Sequence, residues 1–272
     1  MASSYKSSAA KHCKLLIISG LAIYLIFTIS LPNHLINPNF LFTIHTKSPQ
    51  PTPPTNLSHL AFGILASEGG WHFRRSYIES WWRPNQTRGH VYLDVPPTGD
   101  LVPWPARSPP FKVSGNLTEL SKEAKAAAPM VLRIVHGIKE VVRDVGGDDG
   151  SVRWVVIGDD DSIFFVENLV EVVARYDHTK HYYLGAASEF YMSNVWFSFN
   201  QGFGGAGIVL SFPLAKALAD DMDNCIRRHA PFFITADIII NACIGDLGVD
   251  LSPEYGLHQV IRFYQNAPSV PH

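Results

Sequence analysis

The segment at residues 154–162, WVVIGDDDS, constrains this chain more than any other. Its apolar half is typical of a buried strand, which runs directly into three consecutive carboxylates, Asp159, Asp160 and Asp161. Open α/β sheets bind their ligands at the carboxyl ends of the strands. Because adjacent like charges repel one another, a fold that holds them there normally supplies a cation, and oxygen ligands favour Mg²⁺ or Mn²⁺. The alternative is an acidic turn in which Asp161 or Ser162 caps the next helix.

The rest of the chain alternates between strand and helix patterns, which predicts an α/β domain with a largely parallel sheet. A proline-rich stretch at 96–110 is expected to be a loop. Strands are expected at 60–66, 91–93, 152–157, 182–185 and 208–211, and helices at 76–82, 119–145 (bent at Pro129), 167–176 and 214–227.

Composition removes several classes of protein. The chain has 272 residues, 46% of them apolar, and a net charge of −2, which suits one compact domain with appendages. The absence of a Lys/Arg cluster argues against a nucleic-acid partner, whose phosphates require clustered cations. Three cysteines without a Cys-x-x-Cys pair argue against a zinc finger or a disulfide-rich scaffold.

An uncharged apolar run at residues 15–31 predicts a transmembrane signal anchor. Lysines precede it at positions 6, 11 and 14, and no Lys or Arg follows until Lys47. This asymmetry predicts a cytosolic tail at 1–14, which includes Cys13, and a lumenal remainder. The alternative is a cleaved signal peptide, which also leaves the remainder in the lumen.

The lumenal part is expected to divide into a stem and a folded domain. Residues 32–59 are proline-rich, as in an extended tether, and the domain is expected at 60–272. Three Asn-x-Ser/Thr sequons, at Asn56, Asn85 and Asn116, all follow the apolar run and are candidate N-glycosylation sites.

Three further features carry weaker signals. Residues 202–207 satisfy Gly-x-Gly-x-x-Gly, but a strand pattern follows them where a dinucleotide site requires a helix, so we expect a loop where the backbone passes close to a ligand or another segment. Asp237 heads an apolar helix, a position that by itself indicates a first-turn acid. His258 is of a residue type that ligates Mn²⁺-like ions.

Together these blocks resemble the fringe-like branch of glycosyltransferase family 31, and its plant members in particular. The similarity covers roughly residues 60–259 in order. It is carried by SWWRP at 80–84, RWVVIGDDD at 153–161, YDH at 176–178, YYLG at 182–185, GGAGI at 204–208, PLAKAL at 213–218, Asp237 with Ile240, Ala242 and Cys243, LGV at 247–249, and His258 with Gln259.

The resemblance implies a GT-A-type fold, which binds nucleotide-diphospho-sugars, on a Golgi type II membrane stem. The implied activity is metal-dependent, inverting transfer from a UDP-sugar to a glycan hydroxyl, forming a β-1,3 linkage, with Mn²⁺ or Mg²⁺ as cofactor. The implied roles are metal ligation by Asp161 and His258, donor binding by Asp159, Asp160, Trp82 and Arg83, general base catalysis by Asp237, lining of the cleft by Gly204, Gly205, Ala206 and Gly207, and a disulfide between Cys225 and Cys243.

Two departures from the family pattern keep an alternative open. Ala236 and Ile238 flank the base where relatives usually have polar or acidic residues, and relatives continue further past the His-Gln pair than this chain, which ends at His272. We therefore expect a domain that is short at its C-terminus, and the alternative function is a catalytically inactive lumenal binding protein. A nicotinamide-dependent oxidoreductase lacks the required strand-to-helix context.

Overall fold

A computed structural model describes residues 53–146 and 150–259. The apolar run at 15–31 lies outside the described residues, as do most of the predicted stem and the tail at 260–272. Within the described part of the chain, no helix has both the length and the apolar character needed to cross a membrane.

Seven strands of the described part of the chain form one sheet. They are β1 (Leu60–Leu65), β2 (Arg88–Leu93), β3 (Phe111–Val113), β4 (Trp154–Asp159), β5 (Tyr183–Gly185), β6 (Ile208–Ser211) and β7 (Leu251–Pro253). Their order across the sheet is β3-β2-β1-β4-β6-β5-β7. Strand β6 runs antiparallel to both of its neighbours, β4 and β5, and every other pairing is parallel. The predicted α/β class with a mostly parallel sheet is confirmed.

Seven α-helices accompany the sheet in the described residues. They are α1 (Glu68–Glu79), α2 (Thr118–Glu123), α3 (Leu132–Val145), α4 (Val166–Val173), α5 (Tyr191–Trp196), α6 (Phe212–His229) and α7 (Ala236–Asp246). Single 3₁₀ turns occur at Leu57–His59, Gly99–Leu101, Pro129–Val131 and Gly204–Ala206.

Two predicted helices differ from the structure. The helix expected at 76–82 instead begins at Glu68, because the Ser67 hydroxyl accepts a hydrogen bond from the Gly70 amide at 3.0 Å and caps the helix. The single helix expected at 119–145 is wrong, since α2 and α3 are separate. Lys125 adopts a φ of 50° between them, and Pro129 starts a 3₁₀ turn because it lacks an amide proton.

Strand β4 lies at the centre of three layers. Trp154 and Val156 pack into one buried cluster, which includes side chains of α1 and α4. Val155 and Ile157 pack into the opposite cluster, which includes side chains of α3, α6 and α7. The strand is therefore buried on both faces, as its unbroken apolar pattern predicts.

Strand register brings three distant segments to the edge where β4 ends. Ile157 of β4 pairs with Ile208 of β6, so the glycine loop that precedes β6 lies beside the carboxylates that follow β4. On the other side of β4, Leu65 pairs with Asp159, so the start of α1 reaches the same edge. The topology thus gathers the glycine loop, the three aspartates and α1.

The last residues of the predicted stem also contact this domain. The Arg153 guanidinium donates hydrogen bonds to the carbonyl oxygen of Pro53 at 2.7 Å and to the hydroxyl of Thr55 at 3.1 Å. The segment at 53–59 is therefore attached to the start of β4.

Candidate active site

The turn after β4 is fixed by a small set of hydrogen bonds. The Asp159 amide donates to the Ser162 hydroxyl at 2.9 Å, and the Ser162 amide donates to the Asp159 carbonyl at 3.1 Å. The indole nitrogen of Trp81 donates to the Ser162 carbonyl at 3.0 Å. Helix α4 begins later, after Phe165, and has no side-chain cap. The alternative interpretation, in which Asp161 or Ser162 caps this helix, is therefore wrong.

Asp160 contacts α1. Its Oδ1 accepts a hydrogen bond from Nη1 of Arg74 at 2.8 Å, and the same nitrogen lies 3.6 Å from Oδ2 of Asp161. Burial raises the pKa of Asp160, while the Arg74 guanidinium opposes this rise. A Cβ atom on Gly70 would lie 2.6 Å from Oδ2 of Asp160, so this approach of helix and carboxylate requires glycine at position 70.

Asp159 and Asp237 line one cavity of about 200 Å³. Asp159 reaches it from the end of β4 and Asp237 from the first turn of α7. The other lining residues are Ile134, Ile157, Tyr183, Gly202, Phe203, Gly204, Gly205, Ile208, Ala236 and Ile240. Two carboxylates therefore share a small pocket whose remaining walls are mainly apolar side chains and glycine backbone.

The position of Asp237 depends on the glycine loop. A Cβ atom on Gly204 would lie 2.5 Å from Oδ1 of Asp237, so a larger residue at 204 would displace the carboxylate. Burial raises the pKa of Asp237, and the backbone amide of Gly204 opposes the rise. A carboxylate with a raised pKa is a stronger proton acceptor once ionised, which suits a general base.

The charges around Asp159 are unbalanced. Burial raises the pKa of Asp159 to about 7, and the carboxylates of Asp161, Asp237 and Asp160 add to the rise while Arg74 opposes it. A divalent cation near Asp159 and Asp161 would relieve this repulsion. Carboxylate oxygens are the ligands that Mg²⁺ and Mn²⁺ prefer, so this set fits such an ion.

His258 lies in a different environment. Its ring Nδ1 is 3.0 Å from Oε1 of Glu189, and the side chain is exposed. The neighbouring Gln259 accepts hydrogen bonds from the Ser188 hydroxyl at 2.8 Å and the Glu189 amide at 3.2 Å. The structure thus holds the His-Gln pair against the segment after β5, and shared ligation of a metal by His258 and Asp161 stays a prediction.

One cluster of three side chains with metal-binding atoms occurs within the described residues, formed by Cys225, His229 and Asp246. Cys225 is bonded to Cys243, so it offers no thiolate and the cluster does not fit a metal. The predicted disulfide itself is confirmed, and it ties α6 to the helix that carries Asp237.

Trp82 and Arg83, expected near the donor, do not line the cavity. Trp82 is buried, and its ring centroid lies 6.4 Å from that of Phe62 in the core. The Arg83 guanidinium forms an ion pair with Glu167 of α4. Trp82 therefore packs in the core while Arg83 pairs with Glu167 at the surface, and a donor contact by either residue stays a prediction.

The glycine loop has the predicted position before a strand, and two of the four residues expected to line the cleft do line the cavity. It forms a 3₁₀ turn and continues into β6, so the predicted strand after the loop is confirmed, where a dinucleotide-binding motif requires a helix. Gly204 and Gly205 line the cavity, whereas Ala206 and Gly207 lead into the strand and do not. The three sequon residues Asn56, Asn85 and Asn116 are all exposed.

Sequence reasoning missed Tyr183 and Arg74. The buried Tyr183 hydroxyl accepts a hydrogen bond from the Gly202 amide at 2.8 Å and so fixes the start of the glycine loop. Arg74 contacts an aspartate 86 positions away. A contact between segments so distant in the chain leaves no local pattern, although an arginine on a helix beside an acidic turn is a reasonable candidate once the topology is known.

Comparison with known proteins adds one match. A family model described as a protein of unknown function, DUF604, matches residues 193–266, a region that contains Asp237 and His258 but not the acidic turn. A search of curated proteins gave no significant match.

Proposed function

We propose that this chain is a metal-dependent, inverting glycosyltransferase that transfers a sugar from a UDP-sugar to a glycan hydroxyl, with Asp237 as the general base. The observation that carries the proposal is the shared cavity of Asp159 and Asp237, beside a turn with two more carboxylates. The DUF604 match adds weak support, because that domain is found in galactosyltransferase-like proteins of glycosyltransferase family 31.

The donor is proposed to bind at the edge where β4 ends, in a GT-A-type arrangement. Asp159 and Asp161 would hold Mn²⁺ or Mg²⁺, with His258 as the further ligand that the resemblance implies. When bound, such an ion stabilises the negative charge that develops on the departing diphosphate. Arg74 pairs closely with Asp160 and lies 3.6 Å from Asp161, so Asp160 is proposed to stay with α1 while Asp159 and Asp161 turn their oxygens to the ion.

The acceptor is proposed to enter from the side of Asp237. Its hydroxyl loses a proton to the Asp237 carboxylate as its oxygen forms a bond to the anomeric carbon, while the bond from that carbon to the diphosphate breaks and UDP leaves. A single base with no enzyme nucleophile makes this one displacement, which inverts the anomeric centre. By the resemblance, the linkage formed is β-1,3.

The apolar walls of the cavity serve the same reaction. Ile157, Ile208 and Ile240 contribute apolar side chains to the cavity, and a bound acceptor that displaced water from them would disfavour hydrolysis of the donor.

A Golgi location with the domain in the lumen belongs to the same proposal, with residues 15–31 as the type II anchor. The Cys225–Cys243 disulfide supports it, because such bonds persist in oxidising compartments. The exposure of the three sequons is consistent with a glycosylated lumenal domain.

The test is release of UDP and formation of a glycosylated product from a panel of UDP-sugars and glycan acceptors. We expect turnover by the wild type with Mn²⁺, and a loss of at least about a hundredfold in Asp237→Asn, as for removal of a general base. Asp246→Asn, at the exposed end of the same helix, is the matched control and should keep full turnover. Binding of UDP without any turnover would instead favour the inactive binding protein.

A further inference from the structure

A second and larger cavity, of about 530 Å³, lies beside the first. We call it the aromatic groove. Its walls come from the end of α5 and the segment that follows it, from the loop before α7 and from α7 itself. The residues that matter here are Trp196, Phe197, Gln201, Phe232, Ile234 and Asn241.

The aromatic groove and the cavity that holds Asp237 are lined by neighbouring residues of the same two segments. Gln201 lines the groove, and its chain neighbour Gly202 lines the cavity. Asn241 lies four residues after Asp237 on α7, so the two side chains share one helix face. A molecule bound in the groove therefore lies about one helical turn from the proposed base.

The chemistry of the groove suits a neutral polyhydroxyl ligand. None of the described side chains that line it is charged. Trp196 is 67% exposed and Phe232 is 77% exposed, so flat aromatic faces are available for stacking. The amides of Gln201 and Asn241 make no hydrogen bond to another described side chain or backbone group, which leaves them available to ligand hydroxyls.

The sizes of the two cavities indicate which part of the ligand each one can hold. Sites for drug-sized molecules measure about 300–1,000 Å³, so the cavity beside Asp237 is too small for more than one sugar ring and the groove has room for more. A second protein copy would stack on the aromatic faces equally well, but an apolar protein contact would leave the two amides without partners.

We propose that the aromatic groove binds the sugar residues that adjoin the reacting one in the acceptor, so that the substrate is an uncharged oligosaccharide rather than a monosaccharide. This inference rests on the proposed glycosyltransferase function and names the acceptor class for that site. Trp196 and Phe232 stack against sugar rings, and Gln201 and Asn241 hydrogen-bond their hydroxyls.

The experiment measures saccharide binding to the full-length chain in detergent by NMR titration. The probes are β-linked trisaccharides of galactose, glucose and N-acetylglucosamine, each compared with its monosaccharide. At least one trisaccharide should bind at least about tenfold more tightly than its monosaccharide. Trp196→Ala and Phe232→Ala should each weaken that binding by about tenfold, as for loss of an aromatic anchor. Phe73→Ala, which removes an equally exposed aromatic ring from α1, is the matched control.

Two results would overturn the inference. One is a panel in which no trisaccharide binds more tightly than its monosaccharide, a comparison that needs no variant. The other is self-association of the wild type that both groove variants abolish, which would assign the groove to a second copy of the chain. A parallel titration with UDP and Mn²⁺ separates this inference from the proposed function. If UDP binds and the trisaccharides do not, only the groove assignment fails, whereas trisaccharide binding without UDP binding contradicts the transferase.

Discussion

The guanidinium of Arg74 lies 2.8 Å from the carboxylate of Asp160, and this contact attaches α1 to the acidic turn after β4. Asp160 is buried, whereas Arg74 is exposed. The pairing neutralises the middle one of three consecutive carboxylates, and the same guanidinium lies 3.6 Å from Asp161. Asp159, which lines the cavity, has no such close cation partner among the described residues. The charge pattern that the sequence shows as one acidic run is thus divided between a structural and a proposed ligand-binding role.

Loss of the Arg74 side chain should destabilise the domain, because the Asp160 carboxylate would remain buried without its partner. We expect Arg74→Ala to lower the free energy of unfolding by about 1–2 kcal/mol, between the values for exposed and buried ion pairs. Urea denaturation measures this. The double variant Arg74→Ala with Asp160→Asn should recover most of the loss, while Arg227→Ala, which breaks an exposed pair with Glu123, should change stability by less than about 0.5 kcal/mol. Equal losses in Arg74→Ala and Arg227→Ala would contradict this account.

The raised pKa of Asp159 predicts a pH-dependent stability in protein freed of metal by a chelator. In the folded state the pKa of Asp159 is about 7, whereas in the unfolded chain it has the ordinary value of 3.8. The folded state therefore binds this proton more tightly, and the free energy of unfolding falls as pH rises from about 4 to 7. Asp159→Asn should therefore stabilise the domain at pH 7–8 by roughly 1–2 kcal/mol, less than the whole shift implies because the side chain is only half-buried. The difference should vanish near pH 4.

Asp100 provides the control of opposite sign. Hydrogen bonding to His72 lowers the pKa of Asp100, so the group contributes stability at neutral pH that is lost as pH falls. Asp100→Asn should lower the free energy of unfolding at pH 7. It should have no such effect at a pH below the pKa that Asp100 has in the folded state. Urea unfolding at a series of pH values measures both variants, and matching pH profiles for wild type and Asp159→Asn would refute the proposed charge cluster.

Because Gly204 lies so close to Asp237, a single methyl group added at position 204 should affect both stability and transfer activity. In Gly204→Ala the new Cβ would lie 2.5 Å from Oδ1, so the carboxylate must move. We expect a stability loss of about 1–3 kcal/mol, as for overpacking, together with a loss of transfer activity. On the helix that carries Asp237, a Cβ atom added in Gly245→Ala meets no atom of the described residues within 4 Å, so this variant should instead stabilise by about 0.5–1 kcal/mol. Normal turnover by Gly204→Ala would show that the position of Asp237 is not critical.

The Cys225–Cys243 bond closes a loop with a sequence separation of 18. Replacing both cysteines by alanine should lower the free energy of unfolding by about 3 kcal/mol, mainly because the unfolded chain gains freedom. Reduced wild type should then match the double variant in urea denaturation. A double variant as stable as the oxidised wild type would contradict this role.

Most of the sheet can be predicted from the sequence, because its strands are marked by local patterns of apolar residues. Strands β1, β4 and β6 are short apolar runs with polar ends, and α6 has a regular apolar face. The short strands β3 and β7 and helix α5 were not predicted, since each spans only three to six residues. The early start of α1 was missed because Gly69 and Gly70 disfavour a helix by propensity, and the contact with Asp160 that requires Gly70 is not local.

The candidate site was predictable in part. The acidic turn, Asp237 and the glycine loop were singled out, and strand register explains why they meet. The sequence does not indicate a role for Tyr183 or Arg74, because their roles come from contacts between segments far apart in the chain. The aromatic groove was missed for the same reason, since its walls join residues 196–201 to residues 232–242.

The most direct test of the central claim is a calorimetric titration of the full-length chain with UDP, with and without Mn²⁺. We predict binding that requires Mn²⁺, that Asp161→Ala abolishes, and that Asp237→Asn leaves within about threefold of the wild-type Kd, because the base contacts the acceptor and not the nucleotide. A folded wild-type chain that binds no UDP in the presence of Mn²⁺, or binds it equally well after Asp161→Ala, would contradict a metal-dependent donor site at the end of β4.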